Sequence, residues 1–466
     1  MLTQLLSARP GRPRLPYWRL TLLLLLAYLL YLPFSGYTRL YHDSLNYWFI
    51  SIYYHKQGSF SLLNFHDSFR GYLLPLLLLP LRIVQFYTNL PPILFARVFG
   101  AVSAAVGFGL IGPLLWQSAK GQREPLAWVR RLAFAALGFA LWRDYFNFTL
   151  TDFPALWALG LGVLLLYNAG LWGVAGAGMC LAAACNMRPT YLISVPFFMA
   201  LLAVLPLHIN GGRRVARTLA LLAGMALLWL PQLLINHYQF RQNSPLVLAQ
   251  HEDLETDNLY REKLKWGLVH QKYETTIVTD YPQRVLIFRD VAGEQLVKAE
   301  RIGWFDSYGS YLQLVLRHPL TFTKMYAWRL FNGLDVQYPT PYIKRVYVPT
   351  WGLAWLNYTV WFGALLVLLR TRFRKLRWHQ WLVLAVLLMP CMPMLPMSME
   401  CRFLLPLHLL LYAVLCFGWP TAWHPSQLPR RQLAAVGVAY VGFVAVCFWA
   451  SVTAQATLEL GPRALW

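Results

Sequence analysis

The chain has 466 residues, of which 58% are hydrophobic and only 13% are charged. Its mean hydropathy is +0.44, and apolar runs recur along almost the whole chain. Because too few polar side chains exist to cover a globule in water, the composition excludes a soluble enzyme, a disordered tail and a secreted disulfide scaffold. The sequence predicts an all-α polytopic membrane protein.

Eleven apolar runs are predicted to cross the bilayer. The first follows an arginine-rich N-terminus and lacks a cleavage site, so we interpret it as an uncleaved span with a cytoplasmic N-terminus. Several runs are short for a hydrocarbon core of about 30 Å. The predicted spans cover residues 20–34, 92–116, 132–146, 152–170, 171–187, 190–207, 218–235, 350–369, 381–397, 403–420 and 433–452.

Segment 71–88 is also apolar, but Pro75, Pro80 and Arg82 interrupt it. If it does not cross, the cytoplasmic side holds eighteen Lys and Arg residues against a single acid, Glu124, which agrees with the positive-inside rule. We therefore predict a juxtamembrane or re-entrant helix there. The net charge of +22 is then a topology signal, and no nucleic-acid partner is needed. The basic cytoplasmic segments are 9–19, 117–131, 208–217, 370–380 and 421–432.

Two exterior loops are large, and they divide the chain into a membrane module at 1–235, an exterior loop domain at 236–346 and C-terminal spans at 347–466. The first loop, 35–91, contains a predicted amphipathic helix that ends near Gly58. The apolar positions of that helix are Leu45, Trp48, Phe49 and Ile52, opposite Asn46, Ser51 and His55. The loop at 236–346 holds twelve of the nineteen acids and recovers helical patterning near its end, so we expect a small folded cap.

Charged residues gather at the exterior ends of the predicted spans, while the span interiors are almost free of charge. Asp43 could be only the N-cap of a helix from Ser44, and Asp152 could cap a helix entered through Pro154. As a set, however, these charges favour a functional site. The set is Asp43, Arg97, Arg143, Asp144, Asp152, Arg188, Glu400 and Arg402. The six cysteines lie in or beside apolar segments and are read as small membrane-core residues.

Several short motifs occur in a characteristic order along the chain. An acidic residue follows the first span, a helical loop and a proline-bearing helix come next, and ARVFGAVSAA follows them. DFPALW and ECRFLLPLH come later in the chain. Together they resemble the GT-C class of membrane glycosyltransferases, in particular the protein-mannosyl and aminoarabinose transferase group, in which ECRFLLPLH corresponds to an E-x-R-[FY]-x-x-P stretch and DFPALW to a later segment of the N-terminal half. The resemblance covers roughly residues 15–235 and 385–420. The chain departs from the group at residues 70–75, where RGYLLP stands roughly in place of a K-P-P-L stretch, and it has no DxD arrangement.

The resemblance implies a GT-C-like bundle that transfers a sugar from a polyprenyl-phosphate carrier to a glycan, lipid or protein acceptor on the non-cytoplasmic face. It implies Asp43 as the general base of an inverting reaction. Arginine suits the leaving phosphate because of its planar fork of donors. The expected phosphate-binding residues are Arg402 and Arg188, then Arg97 and His42, and the expected supporting or sugar-binding residues are Asp152, Glu400, Asp144, Arg143 and Asp67. No cofactor is expected, a metal requirement stays open, and membrane lipids are the remaining partner.

Three other functions stay open at this point. A transporter or flippase of lipid-linked sugars would place its charges near the bilayer midplane within repeated halves. A lipid-linked glycan polymerase or ligase would place its essential residues in the later exterior loop. A structural membrane scaffold would leave the gathered exterior charges unexplained. A bacterial inner membrane, with the site facing the periplasm, is the expected location.

Overall fold

A computed structural model describes residues 16–460, except for residues 57, 123, 168–169, 206–210, 252, 280, 371–375 and 420–428. Of the residues that the structure describes, 71% are helical and few belong to strands, as expected for an all-α membrane protein. The α-helices run as α1 (Tyr17–Tyr31), α2 (His42–Ile50), α3 (Leu73–Thr88), α4 (Pro92–Val106), α5 (Gly112–Lys120), α6 (Trp128–Trp142), α7 (Asp152–Leu166), α8 (Leu171–Met187), α9 (Val195–Val204), α10 (Gly211–Phe240), α11 (Leu259–Val269), α12 (Val291–Ala299), α13 (Tyr308–Arg317), α14 (Pro319–Leu334), α15 (Trp351–Arg370), α16 (Trp378–Leu388), α17 (Leu405–Phe417) and α18 (Arg430–Gln455).

Shorter elements connect these helices. A π-helical turn at Gly107–Ile111 joins α4 to α5, and two 3-10 segments, Arg143–Asn147 and Cys401–Leu404, carry predicted site residues. The strands are β1 (His55–Lys56), β2 (Ser59–Phe60), β3 (His270–Thr276), β4 (Val285–Arg289) and β5 (Tyr342–Ile343).

Five helical segments of the described chain are long and apolar enough to cross a membrane. They are Tyr17–Ser35, Pro92–Lys120, Arg214–Phe240, Trp351–Arg370 and Arg430–Gln455. Five of the other predicted spans coincide with shorter apolar helices, and the sixth, 132–146, overlaps α6 and the 3-10 segment that follows it. A 15-residue helix such as α7 is about 22 Å long at about 1.5 Å per residue. Eleven crossings therefore remain a prediction.

Helix α18 illustrates why the natural solvent of these segments is lipid. Its most apolar window is only 11% buried inside the protein, and Val438, Val441 and Trp449 are largely exposed. An apolar helix with little protein around it would be unstable in water, whereas hydrocarbon solvates it well.

The chain divides into two compact units. The first unit comprises Met1–Ala135, Arg143–Asp253 and Leu376–Pro390, and the second comprises Ala136–Trp142, Leu254–Lys375 and Cys391–Trp466.

In the first unit, α8 and α10 approach each other through small residues. A Cβ atom at Gly178 would overlap the carbonyl oxygen of Leu221, and one at Gly224 would overlap the carbonyl oxygen of Ala175. The two glycines thus let the two backbones touch, which is how helices associate in lipid, where the hydrophobic effect does not hold them together.

Gly224→Ala should destabilise the first unit by about 1–3 kcal/mol, because the added methyl group must push α10 away from α8. The measurement is the midpoint of thermal unfolding in detergent. Gly442→Ala on α18 is the matched control, since nothing lies within 4 Å of its new Cβ. Equal midpoints for the two variants would contradict this packing.

The first exterior loop differs in detail from the prediction. Helix α2 ends at Ile50 and is followed by tight turns and the β1–β2 hairpin, where Gly58 has a φ of 80°. Trp48 is fully buried, whereas Phe49 and Ile52 are exposed. The helix is thus shorter than predicted, and Gly58 serves a hairpin turn that needs left-handed backbone.

Segment 71–88 forms the 16-residue helix α3, with Pro80 in its interior. Its first half is buried in the first unit, and its last residues, including Phe86 and Tyr87, are largely exposed. Asn89 ends it in left-handed conformation. The helix itself is therefore as predicted, and its position relative to the membrane stays a prediction.

In the second unit, residues 254–346 of the predicted exterior loop contribute a folded region with its own apolar core. Strand β3 lies between β4, to which it is antiparallel, and β5, to which it is parallel. Helices α13 and α14 appear where the helical pattern predicted them. The core beneath them consists of Leu264, Leu268, Leu296, Phe305, Tyr311, Leu314, Phe322 and Met325.

The C-terminal end of α14 is attached to two candidate membrane helices of the same unit. The buried carboxylate of Asp335 accepts hydrogen bonds of 2.7 Å from the hydroxyl of Tyr358 on α15 and from that of Ser451 on α18. Asn357 donates to the carbonyl of Leu334 at 2.8 Å. These bonds satisfy buried polar groups and fix the loop region to the helices.

Candidate functional site

Asp43 lies in the first turn of α2 and forms an ion pair with Arg70. The helix begins one residue earlier, with Tyr41 as its N-cap residue, so Asp43 is not the cap. An Nη atom of Arg70 donates to a carboxylate oxygen of Asp43 at 2.6 Å, and the Asp43 side chain is 36% exposed. A carboxylate held in this way still has a face open to an incoming group.

Arg70 is held in place by its neighbours. Its guanidinium lies 4.5 Å from the ring centroid of Phe69 and 5.2 Å from that of Tyr47. The backbone N–H groups of Phe69 and Arg70 donate to the carboxylate of Asp67 at 2.9 and 2.7 Å. Asp67, a predicted supporting residue, thus shapes the turn that presents Arg70.

Asp152 and Arg188 form a second, more buried pair in the same unit. Asp152 is the first residue of α7, where Thr151 is the N-cap, and Arg188 directly follows α8. Arg188 donates to the Asp152 carboxylate, and the exposed fractions of their side chains are 16% and 3%. The alternative in which Asp152 serves as a helix cap is therefore wrong.

Two contacts join the segments that carry the two pairs. The hydroxyl of Thr149 donates to the carbonyl of Ser44 at 2.8 Å. Gly71 packs so tightly against Asn186 that a Cβ atom would overlap it, and the amide of Leu73 donates to the side chain of Asn186 at 3.0 Å. Each contact joins a residue at most three positions from the first pair to a residue at most three positions from the second pair. The two carboxylate–arginine pairs of the first unit therefore lie in one region.

Backbone strain lies beside the first pair. His42, a predicted phosphate-binding residue, has a φ of 44°, which an L residue adopts only at an energetic cost. Such strain often accompanies a functional constraint. Here it occurs at the residue immediately before Asp43.

The other predicted residues of this unit have structural contacts. The Nε of Arg97 donates to the side chain of Asn147 at 3.0 Å, and its Nη2 donates to the carbonyl of Tyr37 at 2.7 Å. The fold therefore uses two donors of Arg97, which argues against a main role in phosphate binding.

Arg143 and Asp144 meet at the hydroxyl of Tyr31. Arg143 donates to this hydroxyl at 2.9 Å, and the hydroxyl donates to Asp144 at 2.8 Å. The contact fixes the end of α1 to the 3-10 segment that follows α6.

In the second unit, Glu400 and Arg402 pair with each other. The segment before them extends the sheet beside β3, since the amide of Tyr273 donates to the carbonyl of Met399 at 3.0 Å. The structure thus holds the ECRF motif through the loop domain.

Sequence reasoning missed Arg70 as a site residue. The residue stood in the one stretch, RGYLLP, that departed from the family motif. The sequence did contain a signal for Arg70, because this basic residue follows an acid-containing turn and precedes an apolar helix. Its partner is 27 positions away, so the pairing was not visible.

The fold is that of a predominantly helical membrane protein, and its first unit carries two carboxylate–arginine pairs. No protein-family model matches the chain, and neither does any curated protein. Within the described part of the chain, no three His, Cys, Asp or Glu side chains come together as metal ligands would.

Proposed function

We propose that this protein is a membrane glycosyltransferase that moves a sugar from a polyprenyl-phosphate carrier to an acceptor hydroxyl. The observation that carries the proposal is the half-open Asp43–Arg70 pair beside the buried Asp152–Arg188 pair. One carboxylate is accessible to a substrate, while the arginines supply cations for a leaving phosphate. The resemblance to GT-C enzymes in sequence supports the same assignment.

In the proposed reaction, the carboxylate of Asp43 accepts the proton of the acceptor hydroxyl as its oxygen attacks the anomeric carbon. The bond from that carbon to the phosphate oxygen breaks, and its electron pair stays on polyprenyl phosphate. Attack from the opposite side inverts the anomeric centre. Arg70 orients Asp43, and Arg188 stabilises the charge that develops on the phosphate. The resemblance implies a phosphate-binding role for Arg402 as well, and this role stays a prediction.

The topology belongs to the proposal as well. Eleven crossings, with the basic loops in the cytoplasm, place Asp43 on the non-cytoplasmic face. In a bacterium this is the periplasmic face of the inner membrane.

The test incubates purified protein with a panel of polyprenyl-phosphate sugars and candidate acceptors, and follows the release of free polyprenyl phosphate. Release that depends on the acceptor, with an inverted glycosidic product, is the expected result. Transport of a lipid-linked sugar in proteoliposomes without any covalent product would instead establish a flippase.

Arg188→Gln should lower kcat/KM for the donor about 10–150-fold, because a hydrogen bond to a charged group is worth about 1.5–3 kcal/mol. Arg188→Lys, which keeps the charge but loses the planar fork, should retain an intermediate activity. The thermal midpoint of each variant is measured in parallel. Full activity of a folded Arg188→Gln protein would remove Arg188 from the phosphate site.

A further inference from the structure

Helices α13 and α14 of the second unit carry a face of exposed apolar side chains. Tyr308, Leu312, Leu316 and Leu320 follow at four-residue intervals, and all four are more than half exposed. The exposed fractions of Leu316 and Leu320 reach 71% and 85%. A four-residue interval places side chains on one side of a helix, so this face is continuous within α13.

The two helices fold back on each other at Pro319. The hydroxyls of Tyr311 on α13 and Tyr326 on α14 lie 2.8 Å apart. Leu316 and Leu320 therefore lie at the bend, on the side away from the core. Both helices already bury another apolar face in that core, and Leu316 and Leu320 take no part in it.

Basic side chains flank the bend. Arg317 and Lys324 are exposed, and neither forms an ion pair within the described residues. The nearby acid Glu300 pairs with His318, 2.9 Å away. Exposed leucines beside free cations match the chemistry of an anionic lipid surface, where acyl chains lie just below phosphate groups.

The end of α14 away from the bend packs against the candidate membrane helices. Trp328 of α14 lies 6.3 Å from Trp449 of α18, and Phe331 lies 6.0 Å from Trp361 of α15, measured between ring centroids. Trp361 is about 15 Å from the start of α15, and Trp449 about 9 Å from the end of α18, at about 1.5 Å per residue. Both distances are at most half of a hydrocarbon core of about 30 Å. Helix α14 thus contacts α15 and α18 within half the thickness of such a core from one end of each helix.

We propose that the bend between α13 and α14 inserts into the interfacial region of the bilayer. Leu316 and Leu320 reach the acyl chains, and Arg317 and Lys324 bind lipid phosphates. The loop domain is then anchored to the membrane surface at a second place, besides its covalent connections to the spans. This inference does not depend on the glycosyltransferase proposal.

The first experiment uses nitrobenzoxadiazole labels at single cysteines, Leu316→Cys and Leu320→Cys, in a protein whose native cysteines are replaced by alanine. The protein is placed in nanodiscs of phosphatidylcholine and phosphatidylglycerol, with or without lipid spin-labelled near its headgroup. Both labels should emit at shorter wavelength and lose most of their fluorescence to the spin-labelled lipid. The control is Gln295→Cys, an exposed position on α12 of the same domain, whose label should keep its emission. Long-wavelength emission without quenching by the spin-labelled lipid at all three positions would overturn the proposal.

A second experiment leaves the native cysteines in place, in case their replacement disturbs folding. A benzophenone amino acid at position 316, 320 or 295 is irradiated in the same nanodiscs. Cross-links to lipid at 316 and 320, but not at 295, are expected. Lipid insertion would be refuted if positions 316 and 320 cross-link to a second copy of the chain, or if they cross-link neither to lipid nor to a second copy.

The cationic part is tested by the double variant Arg317→Gln, Lys324→Gln. When the labelled protein retains Arg317 and Lys324, adding phosphatidylglycerol to phosphatidylcholine nanodiscs should increase the quenching of the label at position 316. The double variant should lose this increase. If phosphatidylglycerol does not change the quenching in the protein that retains Arg317 and Lys324, these two residues do not bind lipid phosphates.

Discussion

Asp43→Asn should reduce kcat about 10²–10⁴-fold, which is the usual contribution of a positioned general base. The amide can still accept a hydrogen bond from Arg70, but it cannot take the proton of an acceptor hydroxyl. Binding of the donor should change little, since the phosphate contacts remain. The measurement is the rate of polyprenyl phosphate release at saturating donor and acceptor.

Asp306→Asn is the matched control for this variant. Asp306 is an exposed residue and belongs to the second unit. Its removal should leave turnover unchanged. If Asp43→Asn unfolds at the wild-type temperature and keeps near wild-type turnover, another group is the base.

Arg329→Met should destabilise the second unit by about 3–5 kcal/mol, because removing one partner of a buried ion pair leaves the other charge uncompensated. The guanidinium of Arg329 is fully buried. It donates to the carbonyls of Leu395, Pro396 and Gly267, and it lies 3.6 Å from the carboxylate of Asp290. The thermal midpoint in detergent measures the loss.

Two further variants separate this cause from a general effect of removing an arginine. Arg284→Met removes an exposed guanidinium and should leave the midpoint within a degree or so, as most surface substitutions do. Arg329→Met combined with Asp290→Asn should recover part of the loss, because no buried charge then lacks its partner. Equal midpoints for the single and double variants would show that the carbonyl contacts dominate.

The loss should also depend on pH. Burial raises the pKa of Asp290 above its ordinary value, and Arg329 partly opposes that rise, so Arg329→Met should raise the pKa further. A carboxyl whose pKa is raised by folding favours the folded state at low pH, and this contribution is lost as the pH rises through the folded-state pKa. The gap between wild type and variant should therefore widen as the pH rises through the folded-state pKa of Asp290 in the wild type, which lies above its ordinary value. A gap that shrinks with pH would contradict the role assigned to Asp290.

Asp43, Asp152 and Arg188 were predicted one residue at a time, but Arg70 and the two pairings were not. Asp43 and Asp152 were singled out because isolated acids stood at the ends of apolar segments. The partner of Asp152 lies 36 positions away, and that of Asp43 lies across a hairpin and a 3-10 turn. Such pairings depend on helix packing, of which Gly71 against Asn186 is an example.

The sheet of the loop domain escaped prediction for a different reason. Strand β3 has the sequence HQKYETT, in which Gln271 and Lys272 are buried despite their polarity. Lys272 is accommodated by its ion pair with Glu274, at 2.9 Å. Without alternating apolar residues, a strand gives no period-two signal.

The sequence by itself determined the solvent and the helical class of this protein, because a chain with so few polar groups must satisfy its backbone internally in lipid. It also located the acids and arginines at the ends of apolar segments. Only the tertiary structure decided which carboxylate meets which guanidinium, where α8 and α10 touch, and which leucines of α13 and α14 face outward. Those outcomes follow from packing between segments distant in the chain, and local composition carries no record of which distant neighbour a side chain meets.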